Sequence, residues 1–209
     1  RDRSPSRGLG DVYKRQSQKF AVNFVNEDTS VLGSEAFMNP ASRDELTFGY
    51  YISRDISDYT LDFGVRIDRL ANEGSISAAH EEEEHHDEDE DHEEEEHDEH
   101  EEMETAFYDK SFNNTSLAFN IGRELNDFIK VDLGFASVER APSSIELFMN
   151  GAHLATGRFE VGNVNLQSET SNNVDLTVSI DNAGFFASAT LFANKVDNYI
   201  YLRDETEEE

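Results

Sequence analysis

The stretch YTLDFGVRIDRL, residues 59–70, decides the fold class of this 209-residue chain. Apolar and polar residues alternate along it from Leu61 to Asp68. The apolar set is Leu61, Phe63, Val65 and Ile67, and the polar set is Asp62, Gly64, Arg66 and Asp68. Because successive side chains of a β-strand point to opposite faces, the pattern predicts a strand with one apolar and one charged face.

The same alternation recurs on both sides of this stretch. Together with residues 59–70, it predicts about seven strands, the others at residues 20–25, 45–54, 117–122, 129–136, 174–181 and 185–201. The connections between them also alternate. Short turns lie at 55–58, 124–127 and 181–184, and long connections lie at 27–44, 71–110 and 139–170.

This alternation of connections places every long loop at one end of the sheet. Outer-membrane barrels have short periplasmic turns and long extracellular loops, whereas a soluble sandwich has no reason for such an arrangement. The sequence therefore predicts an all-β chain folded as an antiparallel up-and-down meander.

An acidic run, HEEEEHHDEDEDHEEEEHDEHEEME, occupies residues 80–104. It has 18 Asp and Glu residues, and its histidines are His80, His85, His86, His92, His97 and His100. No apolar surface is available to offset the entropy of ordering such a segment. We expect a disordered extracellular loop over residues 71–110.

The composition excludes several functions. The net charge of −29 argues against nucleic acid as a partner, and the absence of Cys excludes thiolate metal sites and disulfides. No nucleophile–base arrangement or phosphate-binding loop occurs, so we expect no enzyme.

Residues 1–16 are basic and lack the apolar region of a signal peptide. They look like a translated adapter remnant, and we expect a non-native tail there.

The long connection at 139–170 carries a family resemblance. Its ordered matches are Arg140-Ala141-Pro142-Ser143, Glu146-Leu147-Phe148, Gly151 with His153, Gly162-Asn163 with Leu166, and Glu169 with Ser171 and Asn173. The pattern resembles the signature region of TonB-dependent outer-membrane receptors. Glu139 stands where that family usually has an aromatic residue, and Val164 stands where it usually has Pro.

This resemblance implies a 22-stranded barrel with an N-terminal plug in the outer membrane of a Gram-negative bacterium. It also implies contact with outer-membrane lipid, and coupling to the TonB system through the plug. We expect residues 17–209 to be a partial barrel of about seven strands with long extracellular loops, without the plug.

Residues 151–160, Glu35-Ala36-Phe37 and the acidic run together look like the zinc-uptake branch of that superfamily. Imidazole and carboxylate groups suit Zn²⁺ or a similar divalent metal. We therefore predict zinc uptake, with metal captured at the cell surface. The predicted ligands are His80, His85, His86, His92, His97, His100 and His153.

Other interpretations remain open. The acidic run could be a solvated spacer in which the histidines are incidental. A haem or siderophore receptor of the same superfamily is a second possibility, because His153 lies between Arg140-Ala141-Pro142 and Asn163-Val164-Asn165-Leu166. A non-transporting, acidic surface protein that buffers metal is a third.

Two further sets of residues have predicted roles. We expect Arg140 and Glu146 to make structural contacts between loop and barrel. We expect a second set to face the lumen of the barrel, where its side chains contact the plug or are simply solvated: Asp62, Arg66, Asp68, Lys130 and Asp132.

Overall fold

A computed structural model of the protein describes residues 16–33, 36–77, 105–153 and 157–204. Seven strands form one antiparallel sheet, in which each strand pairs with its neighbours in chain order. These strands are β1 (Gln16–Thr29), β2 (Ala41–Ile56), β3 (Tyr59–Ser77), β4 (Thr105–Asn126), β5 (Ile129–Arg140), β8 (Glu169–Asn182) and β9 (Phe185–Asp197). The predicted all-β, up-and-down meander is confirmed, and the sheet is open between β1 and β9.

Several strand limits differ from the predicted ones. β1 begins at Gln16 and has 14 residues, so it is much longer than the predicted run at 20–25. The predicted loop at 71–110 is too long at both ends, because Ala71 pairs with Ser111 and Ser77 pairs with Thr105. Apolar alternation ends near residue 70, but backbone pairing continues through polar residues. β9 ends at Asp197 rather than 201, since Asn198 has a φ of 55°.

One face of the sheet is apolar across all the strands. A single cross-strand row contains Ile52, Phe63, Phe119, Phe135 and Val174. The last four of these side chains are 40–47% exposed. Rows of exposed apolar side chains suit an apolar surrounding medium rather than water.

The opposite face is polar and internally hydrogen-bonded. The Asp62 carboxylate accepts hydrogen bonds from Tyr51 Oη at 2.8 Å and Asn120 Nδ2 at 3.1 Å. Asp68 is buried and accepts hydrogen bonds from Thr47 Oγ1 and Arg66 Nε. The residues predicted to face the lumen, including Lys130 and Asp132, which form an ion pair at 2.8 Å, lie on this face.

The two ends of the sheet differ. At the turn end, tight turns at 57–58, 127–128 and 183–184 join successive strands. Ser57, Ala183 and Gly184 have positive φ values there, as hairpin turns require. At the loop end lie the connections 30–40 and 141–168, together with the strand ends Ser77 and Thr105. The predicted separation of long and short connections is thus confirmed for the described residues.

A second layer covers the loop end of the polar face. The connection 141–168 contains α1 (Ser144–Phe148) and a hairpin of β6 (Asn150–His153) and β7 (Arg158–Val161), none of which the sequence predicts. Leu147 and Phe148 are fully buried and pack with Met38 and Ala41. This loop layer contains the main hydrophobic cluster of the described chain.

α1 is the only helix among the described residues, and no helix there is long and apolar enough to cross a membrane. Its five residues lie on β2 and β3. Phe148 stacks on Tyr108 with ring centroids 6.4 Å apart, and it covers Gly74 of β3. A Cβ atom at position 74 would overlap the Phe148 ring.

We predict that Gly74→Ala loosens the loop layer by about 1–3 kcal/mol, because the added methyl overpacks a closed contact. Faster cleavage of residues 141–168 in limited proteolysis of the full-length receptor would measure this. Gly49→Ala is the matched control on the same face, since its nearest neighbour is the Ala21 Cβ at 3.6 Å. Equal cleavage of the two variants would contradict the prediction.

Candidate functional site

The start of α1 is fixed by local sequence chemistry. Pro142 is fully buried and precedes Ser143, the N-cap residue. Ser143 Oγ accepts a hydrogen bond from the Glu146 backbone N–H at 3.2 Å, and Glu146 Oε2 accepts one from the Ser143 backbone N–H at 2.7 Å. This capping box satisfies two N–H groups that a helix start leaves without partners. It explains why Ser143 and Glu146 stand three residues apart.

Arg140 joins three elements through its guanidinium group. It donates to both carboxylate oxygens of Glu146 in α1, at 3.0 and 3.2 Å, and to Glu169 Oε2 at the start of β8, at 3.2 Å. Glu169 also accepts a hydrogen bond from the Ile200 backbone N–H at 3.1 Å. The prediction that Arg140 and Glu146 make structural contacts is confirmed. We call Arg140, Glu146 and Glu169 the arginine clamp.

Glu146 is held in its ionised form by this arrangement. Partial burial opposes ionisation, but the hydrogen bonds from Arg140 and Ser143 outweigh it and keep the pKa of Glu146 below its ordinary value of 4.5. Because the folded-state pKa is the lower one, the ionised carboxylate stabilises the loop layer above pH 4.5. That stabilisation is lost as the pH falls through the folded-state pKa.

The hairpin that carries His153 is pressed against its neighbours without intervening side chains. A Cβ atom at Gly151 would lie 2.7 Å from Phe37 Cα, and one at Gly162 would lie 2.8 Å from the Leu147 carbonyl carbon. The Asn150 N–H donates to the Phe37 carbonyl at 2.8 Å, and the Gly162 N–H donates to the Met149 carbonyl at 2.6 Å. Both glycines are therefore positions at which backbones meet.

His153 lies at the end of β6, opposite Arg158 of β7. Its Nδ1 is 3.3 Å from Glu160 Oε1, and its ring centroid is 5.0 Å from that of Phe37. The imidazole is 34% exposed, whereas the Glu160 side chain is 9% exposed. A carboxylate at Nδ1 orients the ring and, with the proton on Nδ1, leaves the lone pair on Nε2, as in ligand histidines.

The predicted metal ligands are not brought together in the described part of the chain. His80, His85, His86, His92, His97 and His100 lie outside the described residues, as does Glu35 of the zinc-branch resemblance. Among the residues that the structure describes, no group of three or more His, Cys, Asp or Glu side chains could hold a metal ion. The metal-ligand set therefore stays a prediction.

Sequence reasoning missed the pairing of His153 with Glu160. The two residues are seven apart and meet only because residues 150–161 fold into a hairpin around Gly157, whose φ is 66°. Four-residue strands are too short to show clear alternation. The glycine at position 157, between His153 and Glu160, was the one signal available in the sequence.

Comparison with known proteins identifies the family. A family model described as "TonB dependent receptor-like, beta-barrel" matches residues 6–207. The chain belongs to the TonB-dependent receptor β-barrel family. Members of this family are outer-membrane transport receptors of Gram-negative bacteria rather than enzymes. The resemblance of the 139–170 region to TonB-dependent receptors is thereby confirmed at the level of the family.

A solved structure supports the same fold. The chain is similar to the Serratia marcescens hemophore receptor HasR, solved as a double mutant in complex with its hemophore HasA and heme. The TM-score is 0.63 at 17% identity, covering 88% of this chain and 32% of HasR. This TonB-dependent receptor chain thus spans about a third of the matched receptor. The zinc branch is not confirmed by either comparison.

We predict that acid releases the loop layer of this receptor through Glu146. Cleavage of residues 141–168 by an acid-active protease should accelerate as the pH falls below about 4.5, because protonation of Glu146 removes one of the two carboxylate partners of Arg140. In Glu146→Gln, cleavage should be fast across the whole range. Glu124→Gln, near the turn end, is the control and should behave as wild type. An unchanged pH dependence in Glu146→Gln would contradict the prediction.

Proposed function

We propose that this chain forms part of the wall of an outer-membrane receptor that takes up haem with energy from the TonB system. The choice of haem as the cargo depends on one observation. His153 lies on a hairpin at the loop end, and Glu160 orients its imidazole. The likeness in fold to HasR, which was solved with heme bound, supports the same choice. The loop end faces the cell exterior, and the plug that contacts TonB belongs to the rest of the receptor.

The chemistry around His153 suits a haem iron better than a closed zinc site. Haem needs one or two axial ligands from the protein, and a neutral imidazole is a common one. A tetrahedral zinc site requires three or four protein ligands, and within the described residues His153 belongs to no group of three or more His, Cys, Asp or Glu side chains that could hold a metal ion. The Phe37 ring lies tilted beside the imidazole, with ring centroids 5.0 Å apart, so apolar surface for a porphyrin is present nearby.

A second candidate cargo is zinc or a similar divalent metal. The observation that favours it is the concentration of six of the chain's seven histidines within the acidic run 80–104. Such a segment offers many exchanging imidazole and carboxylate sites and would gather cations at the cell surface. In that mechanism the run captures the metal, and residues elsewhere in the receptor transport it.

We predict that His153→Ala in the full-length receptor abolishes growth on haem as the iron source. Glu160→Gln should weaken haem binding by about 10–100-fold, because the ring loses its orienting partner. The host strain should lack other haem receptors. Deletion of residues 80–104 is the matched control and should leave haem use intact. If His153→Ala still grows on haem like wild type, the haem proposal fails.

The zinc candidate has its own test. Calorimetric titration of a peptide covering residues 80–104 should show Zn²⁺ binding that weakens below about pH 6.5, since protons compete for imidazole. Replacing the six histidines by Gln is the matched control. Zn²⁺ binding no tighter than Ca²⁺ binding would remove zinc capture from consideration.

Recovery of the receptor in a heat-modifiable form from outer-membrane fractions would exclude a soluble metal buffer.

A further inference from the structure

We propose that the turn end of the apolar face binds the phosphate of an inner-leaflet phospholipid headgroup, through Arg54 and Arg123 on either side of Tyr59. This proposal depends on the family's placement in the outer membrane and not on the identity of the cargo. Both arginines are exposed, and among the described residues neither forms an ion pair.

The strand register places the two arginines on the apolar face. Arg54 of β2 pairs with Leu61, and Arg123 of β4 pairs with Tyr59, so β3 separates the two. Leu61 and Tyr59 are two residues apart on β3, in line with the apolar Phe63. Neighbouring strands are about 4.8 Å apart, and the two arginines are two strands apart and offset by two residues along the strands, so their Cα atoms are about 12 Å apart. Two extended arginine side chains can span this distance and contact the same phosphate.

Tyr59 fits the same environment. The guanidinium carbon of Arg123 lies 5.1 Å from the centroid of the Tyr59 ring, in a cation–π contact. The ring is 37% exposed at the point where the apolar row gives way to the tight turn at 57–58. Tyrosine is enriched at membrane interfaces, where its ring lies among headgroups, and arginine extends from the apolar region toward phosphate.

Charge on the apolar face differs between its two ends. At the loop end, one cross-strand row contains Asp28, Ser42, Glu73 and Asp109, and Asp44 lies one step closer to the apolar band. Arg69 lies at that border, where its Nε donates to Asn113 Oδ1 at 3.1 Å. The loop-end border is thus mostly acidic and would repel phosphate. The turn-end border, with Arg54 and Arg123, complements an anionic headgroup.

The full-length receptor tests this directly. Native mass spectrometry would follow its binding of phosphatidylglycerol in a mild detergent. The double variant Arg54→Gln/Arg123→Gln should bind about tenfold more weakly, because two charge-assisted hydrogen bonds to phosphate are lost. Arg54→Lys/Arg123→Lys should lie between it and wild type, since charge is kept but the planar fork is lost. Rising salt should weaken binding to wild type.

Arg69→Gln, at the opposite border of the same face, is the matched control and should bind phosphatidylglycerol like wild type. Wild-type binding by the Gln double variant would overturn the proposal, as would an equal loss in Arg69→Gln. Preferential binding of lipopolysaccharide, or displacement of the lipid by inorganic phosphate, would also overturn it. Heat-modifiability shows whether each variant is folded. Failure of the haem test leaves these outcomes unaffected.

Discussion

The structure depends on continuous backbone pairing across the sheet. One face of this sheet is apolar and points outward, and the opposite face is polar. In a hydrocarbon medium every backbone N–H and C=O must find a partner within the protein, so strands must pair along their whole membrane-crossing length. β2, β3 and β4 meet this condition with a regular register from Ile56 to Ser42 and from Tyr59 to Ser77. The two-residue alternation then determines which side chains face outward.

The polar face is organised by a different interaction. Its carboxylates are held by donors on neighbouring strands, and at the loop end the arginine clamp ties β5 and β8 to α1. The clamp positions α1, α1 positions the buried Phe148, and the following backbone carries the hairpin with His153 against Phe37. A histidine on a loop thereby acquires a defined orientation. The other signature residues are thus mainly structural, and they support the hairpin that carries the candidate ligand, His153.

Much of this could be predicted from the sequence, because two-residue alternation over ten or more residues has no other structural interpretation. The strands around residues 59–70 and the sides on which connections lie follow from it. α1 was not predicted, since five residues contain little more than one helical turn and show no 3.6-residue period. The one sequence signal for it is the Ser-x-x-Glu spacing of Ser143 and Glu146, which marks a helix start. The strand extension from Ala71 to Ser77 was missed because it is polar, although pairing needs only backbone groups. Glu160 was missed because it meets His153 through a turn.

The two candidate cargoes require different things of the chain. Haem needs one well-oriented imidazole and flat apolar surface, so its binding depends on the accuracy with which the loop layer holds His153. Zinc capture needs a high local concentration of ligands and little order, which an acidic segment without apolar residues supplies. A change that loosens the loop layer, such as loss of the Glu146 carboxylate, should therefore impair haem binding and spare zinc capture. The stability of the arginine clamp thus separates the two functions even where both operate in one receptor.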